Sequence, residues 1–397
     1  MTNDKIQNPN KIQISNFQNR RQITRRDFLK ILGGTAAGLA ACGYLSNRGL
    51  FNAHAVTGLG YQREALYYEK IDEETVKCVL CPHECVLRDG QRSFCRVREP
   101  KNGKLYTLVY ELACACHVDP IEKKPIYHML PGSSSFSIAT AGCNSRCKYC
   151  QNWQISQSPP EDTQNTVLSC KKIISLAKEN QCRSIAYTYS EPIIFYEYAF
   201  DTASLARTEN IKNVLVTAGY INPEPLKALC KHIDACHVDL KAYNDVYLRD
   251  VCSQRLKPVL ETLRIMKEEG VWLEIVNLIV PTLNDNMDMI REMCVWIKGN
   301  LGKDTPLHFS RFWPLYKLKD LPPTPLETLI QARSIAIKEG LNYVYIGNVE
   351  NPESGHTYCP NCKKIVVKRM GYSITEYNIL NSSCKFCGYK IAGIWTA

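Results

Sequence analysis

The sequence has no internal repeat and no low-complexity segment, which excludes solenoid and other repeat architectures. It also lacks the dispersed cysteines of a small disulfide-stabilised secreted domain, because most of its 20 cysteines fall in tight clusters typical of metal binding. The basic excess is not spread along the chain either, since much of the formal net charge of +10 arises in the first thirty residues. We therefore expect no nucleic-acid partner. With 397 residues, the chain is long enough for one large domain and smaller modules.

Paired arginines near the N-terminus precede a short apolar run. Arg25 and Arg26 are followed by the small, apolar stretch 31–41, which is too short to span a bilayer, and then by Cys42. This order resembles a twin-arginine export signal that ends in a lipoprotein cleavage site, where Cys42 would be acylated. We expect residues 1–60 to be signal and linker, and the protein to be extracytoplasmic and membrane-anchored. The alternatives are an ordinary N-terminal helix and a cytoplasmic location.

Beyond residue 130 the chain alternates apolar β-rich runs with helical stretches. The runs that predict strands are 137–140, 184–188, 213–217, 235–239, 272–276 and 306–310, with a final run at 343–346. Helical patterns such as 168–180 and 257–270 lie between them. The alternation predicts an α/β fold with a parallel sheet, either a full or partial TIM-like barrel or an open doubly wound sheet. We expect this core to span 131–350, between cysteine-rich modules at 61–130 and 351–397.

Three cysteines directly follow the first predicted strand. Cys143, Cys147 and Cys150 are spaced by three and then two residues, and no fourth ligand lies close by in sequence. Four thiolates would saturate a 4Fe-4S cluster, whereas three leave one iron free to bind another molecule. Barrel active sites are built at the carboxyl ends of strands, so the position favours a catalytic cluster over a structural zinc site.

The spacing, with Tyr149 before the last cysteine, resembles the signature of the radical S-adenosylmethionine (SAM) superfamily. That resemblance implies that the open iron binds SAM and that one electron from the reduced cluster cleaves it to methionine and a 5'-deoxyadenosyl radical, which abstracts a substrate hydrogen. It also implies a low-potential electron donor and a partial (β/α)6 barrel.

Two further strand ends match the superfamily pattern. Thr188 to Pro192 resembles the Gly-Gly-Glu-Pro turn that receives the SAM amino group, with Tyr189 and Ser190 in place of the two glycines. Asp239 and Lys241 resemble the Asp-Leu-Lys motif of glycyl-radical-activating enzymes, although a solvated strand-end ion pair is an alternative interpretation. The residues that the resemblance assigns to SAM are Tyr149, Ser190, Glu191, Asp239 and Lys241.

Cysteine-rich modules flank the core on both sides. Cys359, Cys362, Cys384 and Cys387 form two Cys-x-x-Cys pairs that are 21 residues apart, a spacing that predicts a zinc ribbon, with rubredoxin-type iron as the alternative. Cys78, Cys81, Cys85 and Cys95 supply four thiolates on the other side. We expect metal there as well, either a second iron-sulfur cluster that passes electrons inward or a structural zinc.

Taken in order, the N-terminal cysteines, the segment 119–125, the motifs above and the terminal ribbon resemble the radical SAM enzyme of the AmmeMemoRadiSam system, a family related to pyruvate formate-lyase activating enzymes. The leading hypothesis is a SAM-cleaving enzyme that acts on a protein or small-molecule C-H bond. A glycyl-radical activase is the second hypothesis. The third is a non-catalytic iron-sulfur and zinc protein that transfers electrons at the membrane.

Overall fold

The computed structural model describes residues 62–349 and 352–396. The predicted export signal and Cys42 lie outside these residues. The central element is an eight-stranded sheet, whose strands are β1 (Ala115–Pro120), β2 (Ser134–Ala139), β3 (Ser184–Tyr187), β4 (Lys212–Thr217), β5 (Ala235–Asp239), β6 (Trp272–Ile279), β7 (Leu307–Arg311) and β8 (Val344–Gly347). The strands lie side by side in chain order.

Strands β2 to β8 are parallel to one another, and β1 pairs with β2 antiparallel. Every residue of β3 is buried, as expected for a parallel strand covered on both faces. The sequence correctly predicted the α/β class and the positions of all seven parallel strands. It did not predict that Ala115–Pro120 would extend the sheet as an antiparallel edge strand.

Amphipathic helices follow most of the parallel strands. The six longer helices are α1 (Cys170–Glu179), α2 (Tyr196–Thr208), α3 (Pro223–Cys230), α4 (Leu256–Glu268), α5 (Met287–Leu301) and α6 (Leu326–Lys338). Side chains cap two of them: Ser169 accepts a hydrogen bond from the Lys172 amide, and Asn286 accepts from the amides of Asp288 and Met289. No helix in the described part of the chain has the length and apolar character needed to cross a membrane.

Short helical turns connect these elements. They comprise 3-10 turns at Ile121–Lys123, Pro160–Asp162, Pro192–Phe195 and Pro352–Gly355, short α-helices at Trp153–Ser156 and Asp245–Tyr247, and a π-helix at Leu248–Cys252. The π-helix lies beside the loop that follows β2. Such segments are rare and occur frequently at functional sites.

The flanking modules consist of short antiparallel strands. The N-terminal strands are Arg63–Glu64, Tyr68–Lys70, Thr75–Cys78, Val86–Arg88, Arg98–Lys101, Lys104–Thr107 and Leu112–Ala113, the last paired with Thr166–Val167. The C-terminal strands are Thr357–Tyr358, Ile365–Met370, Ser373–Tyr377, Ile379–Leu380 and Ser383–Cys384. Buried Arg369 attaches the C-terminal strands to the core by donating to the Tyr127 carbonyl at 2.8 Å.

Candidate functional site

The loop of residues 141–152, here called the cluster loop, leaves the carboxyl end of β2. Gly142 has a φ of +91°, and its amide donates to the Ile155 carbonyl at 2.9 Å. A Cβ at this position would lie 2.5 Å from the Cys95 carbonyl oxygen. Only glycine therefore permits both the left-handed turn and the close approach of the N-terminal module.

The π-helix holds the cluster loop from its other side. The amides of Arg146 and Lys148 donate to the carbonyls of Cys252 and Val251 at 2.9 and 3.0 Å. Asn152 joins the loop to the end of β3, because its Nδ2 donates to the Tyr189 carbonyl at 2.8 Å. The three cysteines are thus carried on backbone that is tied down at several points.

The thiols of Cys143, Cys147 and Cys150 differ in exposure and in their contacts. Cys147 is buried and the other two are partly exposed. Cys143 Sγ accepts from the Ser145 amide at 3.3 Å, and Cys150 Sγ lies 3.1 Å from Ser156 Oγ. In the described residues the three sulfurs do not all lie within 4.8 Å of one another, unlike the ribbon cysteines below.

Cys252 is a site residue that the sequence did not indicate. An isolated buried cysteine is usually a small apolar residue without chemistry, but the Cys252 thiol reaches both Cys147 and the Tyr149 hydroxyl, which is 3.4 Å away. A hydrogen bond from Cys252, together with the positive charge of Lys241, lowers the pKa of Cys147 to about 7 although burial opposes this. Nothing in the local spacing around Cys252 distinguishes it from the other isolated cysteines.

Tyr149 is a buried aromatic residue of the cluster loop. It packs in an apolar cluster with Tyr247, Val280 and Phe312, and its hydroxyl faces Cys252. Burial raises the pKa of Tyr149 well above its usual range, so the phenol stays neutral. Its assignment to SAM stays a prediction.

The turn after β3 has the left-handed backbone that glycine favours, although Tyr189 and Ser190 stand where the superfamily motif has two glycines. Tyr189 has a φ of +65°, and Ser190 Oγ donates to the Thr140 carbonyl at 2.7 Å. Glu191 is buried and accepts from Thr217 Oγ1 at 2.5 Å and from the Ala218 amide at 2.8 Å. The carboxylate therefore ties the ends of β3 and β4 together.

Asp239 and Lys241 form an ion pair at the end of β5, with Nζ 2.8 Å from Oδ2. His237 Nε2 lies 2.9 Å from the other carboxylate oxygen. Burial alone would raise the pKa of Asp239, but the Lys241 ammonium and the His237 contact hold it well below its usual value. The Asp239 side chain is 36% exposed, which leaves it accessible to a ligand.

Asn277 on β6 lies next to this ion pair. Its Nδ2 donates to the Leu240 carbonyl at 2.8 Å, whereas its buried Oδ1 has no hydrogen-bond partner among the described residues. An orphaned buried acceptor needs a donor, and an amino or hydroxyl group of SAM would supply one. Three cysteines, an accessible carboxylate and this acceptor therefore fit a SAM-binding 4Fe-4S centre.

The segment 119–125 carries a buried lysine next to the central sheet. Lys124 is buried, its Nζ lies 2.5 Å from Asp119 Oδ2, and its carbonyl accepts from His237 Nδ1 at 2.8 Å. Burial lowers the pKa of Lys124 to about 8. Tyr189 also hydrogen-bonds to Asp119, so this segment contacts the turn after β3. The sequence marked this segment only through its family resemblance.

The ribbon cysteines form a compact tetrahedral set. The sulfurs of Cys359, Cys362, Cys384 and Cys387 all lie within 4.8 Å of one another, with 3.6 Å between Cys359 and Cys387 and 3.7 Å between Cys362 and Cys384. Four thiolates about 2.3 Å from one tetrahedral ion would be about 3.8 Å apart. The geometry therefore fits one metal ion.

The four N-terminal cysteines line one small cavity. Cys78, Cys81, Cys85 and Cys95 are joined there by His83, Arg98 and Asn144 among others. The module abuts the cluster loop, since His83 Nε2 lies 2.8 Å from the Asn144 carbonyl oxygen.

Comparison with known proteins agrees with this geometry. The sequence pattern of the radical SAM superfamily matches residues 137–297. An uncharacterized protein of Methanocaldococcus jannaschii is 46% identical over 331 residues, which are 83% of this chain and 98% of that protein. The pyruvate formate-lyase-activating enzyme of Clostridium pasteurianum is 26% identical over 163 residues, covering 40% of this chain and 67% of that enzyme.

One solved structure, a radical SAM methyltransferase from Sphaerobacter thermophilus, aligns at 13% identity over 77% of this chain and 80% of that chain, with a TM-score of 0.45. The sequence relationships and the three-cysteine loop lead to one conclusion: the chain carries a radical SAM domain, is homologous to pyruvate formate-lyase activating enzymes, and belongs to the radical SAM superfamily.

Proposed function

We propose that this protein is an enzyme that binds a 4Fe-4S cluster through Cys143, Cys147 and Cys150, cleaves SAM reductively and abstracts a hydrogen atom from a substrate. The single supporting observation is that the three cysteines lie on one loop at the carboxyl end of β2, which Asn152 ties to the end of β3 through its hydrogen bond to the Tyr189 carbonyl at 2.8 Å. When bound, the cluster supplies one electron and an open iron for SAM. The proposed reductant is a low-potential donor, and the substrate is a protein or a small molecule.

The chain's own residues hold and orient these groups. Lys241 lies beyond the end of β5 and places positive charge near Cys147, which stabilises the negative charge of thiolates. Asp239 presents a carboxylate that stays ionised, which suits the SAM amino group. Glu191 and Ser190 fix the neighbouring turn by their hydrogen bonds to Ala218 and Thr140, so the turn backbone is preorganised.

The decisive experiment uses anaerobically reconstituted full-length protein, dithionite and SAM. We expect 5'-deoxyadenosine and methionine from the wild type and none from Cys147→Ser. Cys294→Ser is the matched control, because Cys294 is buried in α5. If the wild type with its cluster intact produced no 5'-deoxyadenosine, the enzyme proposal would fail and the electron-transfer hypothesis would replace it.

The proposed architecture is a partial barrel with a C-terminal zinc ribbon. The six parallel strands β2 to β7, in chain order and followed by β8, support a partial (β/α)6 barrel, and the compact set of four sulfurs supports a zinc ribbon at 351–397. The motifs across the chain support assignment to the AmmeMemoRadiSam system.

A glycyl-radical activase is the second candidate function. Homology to the pyruvate formate-lyase-activating enzyme and the Asp239 to Lys241 motif favour it. Its test is incubation with SAM, a reductant and candidate glycyl-radical proteins, followed by electron paramagnetic resonance. A glycyl radical on the partner would identify the activase, whereas SAM cleavage without such a radical in any partner would exclude it for the partners tested.

We also propose export and lipid anchoring of the protein through Cys42. Mass spectrometry of the membrane fraction should find Cys42 as an acylated N-terminal residue. An intact N-terminus in the cytosol would refute export and support the cytoplasmic alternative.

A further inference from the structure

We infer that Cys78, Cys81, Cys85 and Cys95 bind a second iron-sulfur cluster, which relays electrons to the cluster at Cys143, Cys147 and Cys150. The four thiols line one small cavity although they come from different parts of the N-terminal module. Cys78 ends the strand Thr75–Cys78 and donates its amide to the Cys85 carbonyl at 2.9 Å, which closes the turn that carries Cys81. Cys95 reaches the same cavity from the next loop.

The N-terminal thiols are arranged differently from the ribbon thiols. In residues 62–349 and 352–396, only the ribbon contains three or more cysteine, histidine or acidic ligands within 4.8 Å of one another. The N-terminal thiols surround a shared space but are spread more widely than the ribbon thiols, which suit one tetrahedral ion. Each thiolate of a four-iron cluster binds a different iron, so its sulfurs are held further apart than around one zinc.

Arg98 provides an independent sign of an anionic group in the cavity. The residue is 1% exposed and lines the cavity, and its Nη2 donates to both Glu197 oxygens at 2.7 and 2.8 Å. Its buried Nε has no hydrogen-bond partner among the described residues. Thiolate or bridging sulfide would accept that hydrogen, and buried N-H groups rarely lack an acceptor.

The cavity adjoins the cluster loop. The Cys95 carbonyl oxygen would contact a Cβ on Gly142, which immediately precedes Cys143, and Asn144, which immediately follows it, lines the cavity itself. The Arg146 guanidinium lies over the Phe94 ring, 4.1 Å from its centroid. The two sets of cysteines are therefore separated by little more than the backbone around Cys143.

The relay rests on the proposed function, whereas the cluster itself does not. A reduced ferredoxin- or flavodoxin-class protein would give one electron to the N-terminal cluster and become oxidised by one electron. That cluster would pass the electron to the catalytic cluster and return to its oxidised state. Cys81 and Cys85 are partly exposed, so the N-terminal site is not sealed from a donor protein.

The test measures acid-labile sulfide, which neither zinc nor a rubredoxin-type iron contributes. In the triple variant Cys143→Ala, Cys147→Ala, Cys150→Ala, full-length protein reconstituted with iron and sulfide should retain half of the wild-type sulfide and a 4Fe-4S electron paramagnetic resonance signal. Loss of all sulfide, or more than the one zinc per chain that the ribbon can bind, would overturn the inference. Because this variant leaves the N-terminal site intact, the result is independent of SAM cleavage.

A complementary variant tests the relay. Cys78→Ser with Cys95→Ser should also halve the sulfide while keeping dithionite-driven formation of 5'-deoxyadenosine, because a small reductant reaches the catalytic cluster directly. Turnover driven by reduced flavodoxin should fall at least tenfold. Undiminished flavodoxin-driven turnover would overturn the relay, and if this variant does not fold, the triple variant still decides whether the second cluster exists.

Discussion

The carbonyl oxygen of Cys95 lies 2.5 Å from the point that a Cβ on Gly142 would occupy. This contact joins the N-terminal module to the start of the cluster loop. It also explains why glycine is required at this position, since the backbone has a φ of +91° there and an added Cβ would also lie 2.6 Å from Val97 Cγ1.

Replacing Gly142 with alanine should therefore destabilise the protein strongly. The left-handed backbone and the clash with Cys95 together should cost about 3 kcal/mol. Gly90→Ala is the matched control, because Gly90 has a φ of +78° and nothing within 4 Å of its added Cβ, so we expect about 1 kcal/mol there. Anaerobic thermal unfolding gives the comparison, and equal losses for both variants would contradict the predicted clash.

Cys252 should tune the catalytic cluster without binding it. Cys252→Ala removes a hydrogen bond to Cys147, and loss of a donor to a ligand sulfur should make the reduction potential more negative. Cys252→Ser should restore part of the shift, and Cys294→Ala should cause none. A redox titration monitored by electron paramagnetic resonance measures this effect. An unchanged potential in Cys252→Ala would contradict this role.

The ion pair at the end of β5 should serve SAM binding more than stability. Asp239→Asn should weaken SAM binding at least tenfold while the cluster stays intact, because the ionised carboxylate near the site is lost. The matched control is Asp234→Asn, whose residue pairs with Lys212 at 2.9 Å at the other end of the strands. Equilibrium dialysis with labelled SAM measures the affinity. Similar affinity in both variants would support the alternative of a structural ion pair.

The C-terminal cysteines should hold one metal ion that is separable from the catalytic cluster. Cys362→Ser should lose that ion and lower the thermal midpoint of the protein, because Cys359 and Cys384 of the same set belong to the apolar cluster that packs this module against Tyr345 of β8. Metal analysis by mass spectrometry will distinguish zinc from iron. Cys230→Ser, at a buried cysteine in α3, is the control, and retention of the ion in Cys362→Ser would refute tetrahedral coordination by these four residues.

Acid should destabilise the protein through His128. Burial lowers the pKa of His128 to about 4, although the charge of Glu274 opposes this. Between about pH 6.5 and pH 4, His128 is therefore protonated in the unfolded chain but neutral in the folded protein. The free energy of unfolding falls as the pH decreases through that range.

The His128 contribution should be on the order of 2 kcal/mol between pH 7 and pH 5. His128→Gln should show a correspondingly smaller loss of thermal midpoint over this range than the wild type. Partly exposed His232→Gln is the control. Parallel pH profiles of His128→Gln and the wild type would show that His128 is not the source.

The sequence allowed prediction of those features that depend on short-range pattern. The three cysteines of the cluster loop are close in the chain, so their spacing alone indicated a shared cluster. The two ribbon pairs are each local as well, and Gly388 has the left-handed backbone expected of the second turn. The parallel strands were visible as apolar runs because both faces of such a sheet are buried.

The contacts that tune the site depend on long-range packing. Cys252 lies 105 residues from Cys147 in the sequence, and Asp119 contacts the turn at Tyr189 from a strand whose role the sequence did not predict. The cavity that the four N-terminal cysteines share was also not evident from their spacing, which left the metal at that site open. Residue types and their local spacing are enough to identify the candidate metal-binding side chains, because the chemistry of a thiolate or carboxylate belongs to the residue itself. Which of these side chains meet, and at what distances, depends on the fold, because segments that are remote in the chain must pack together to bring them there.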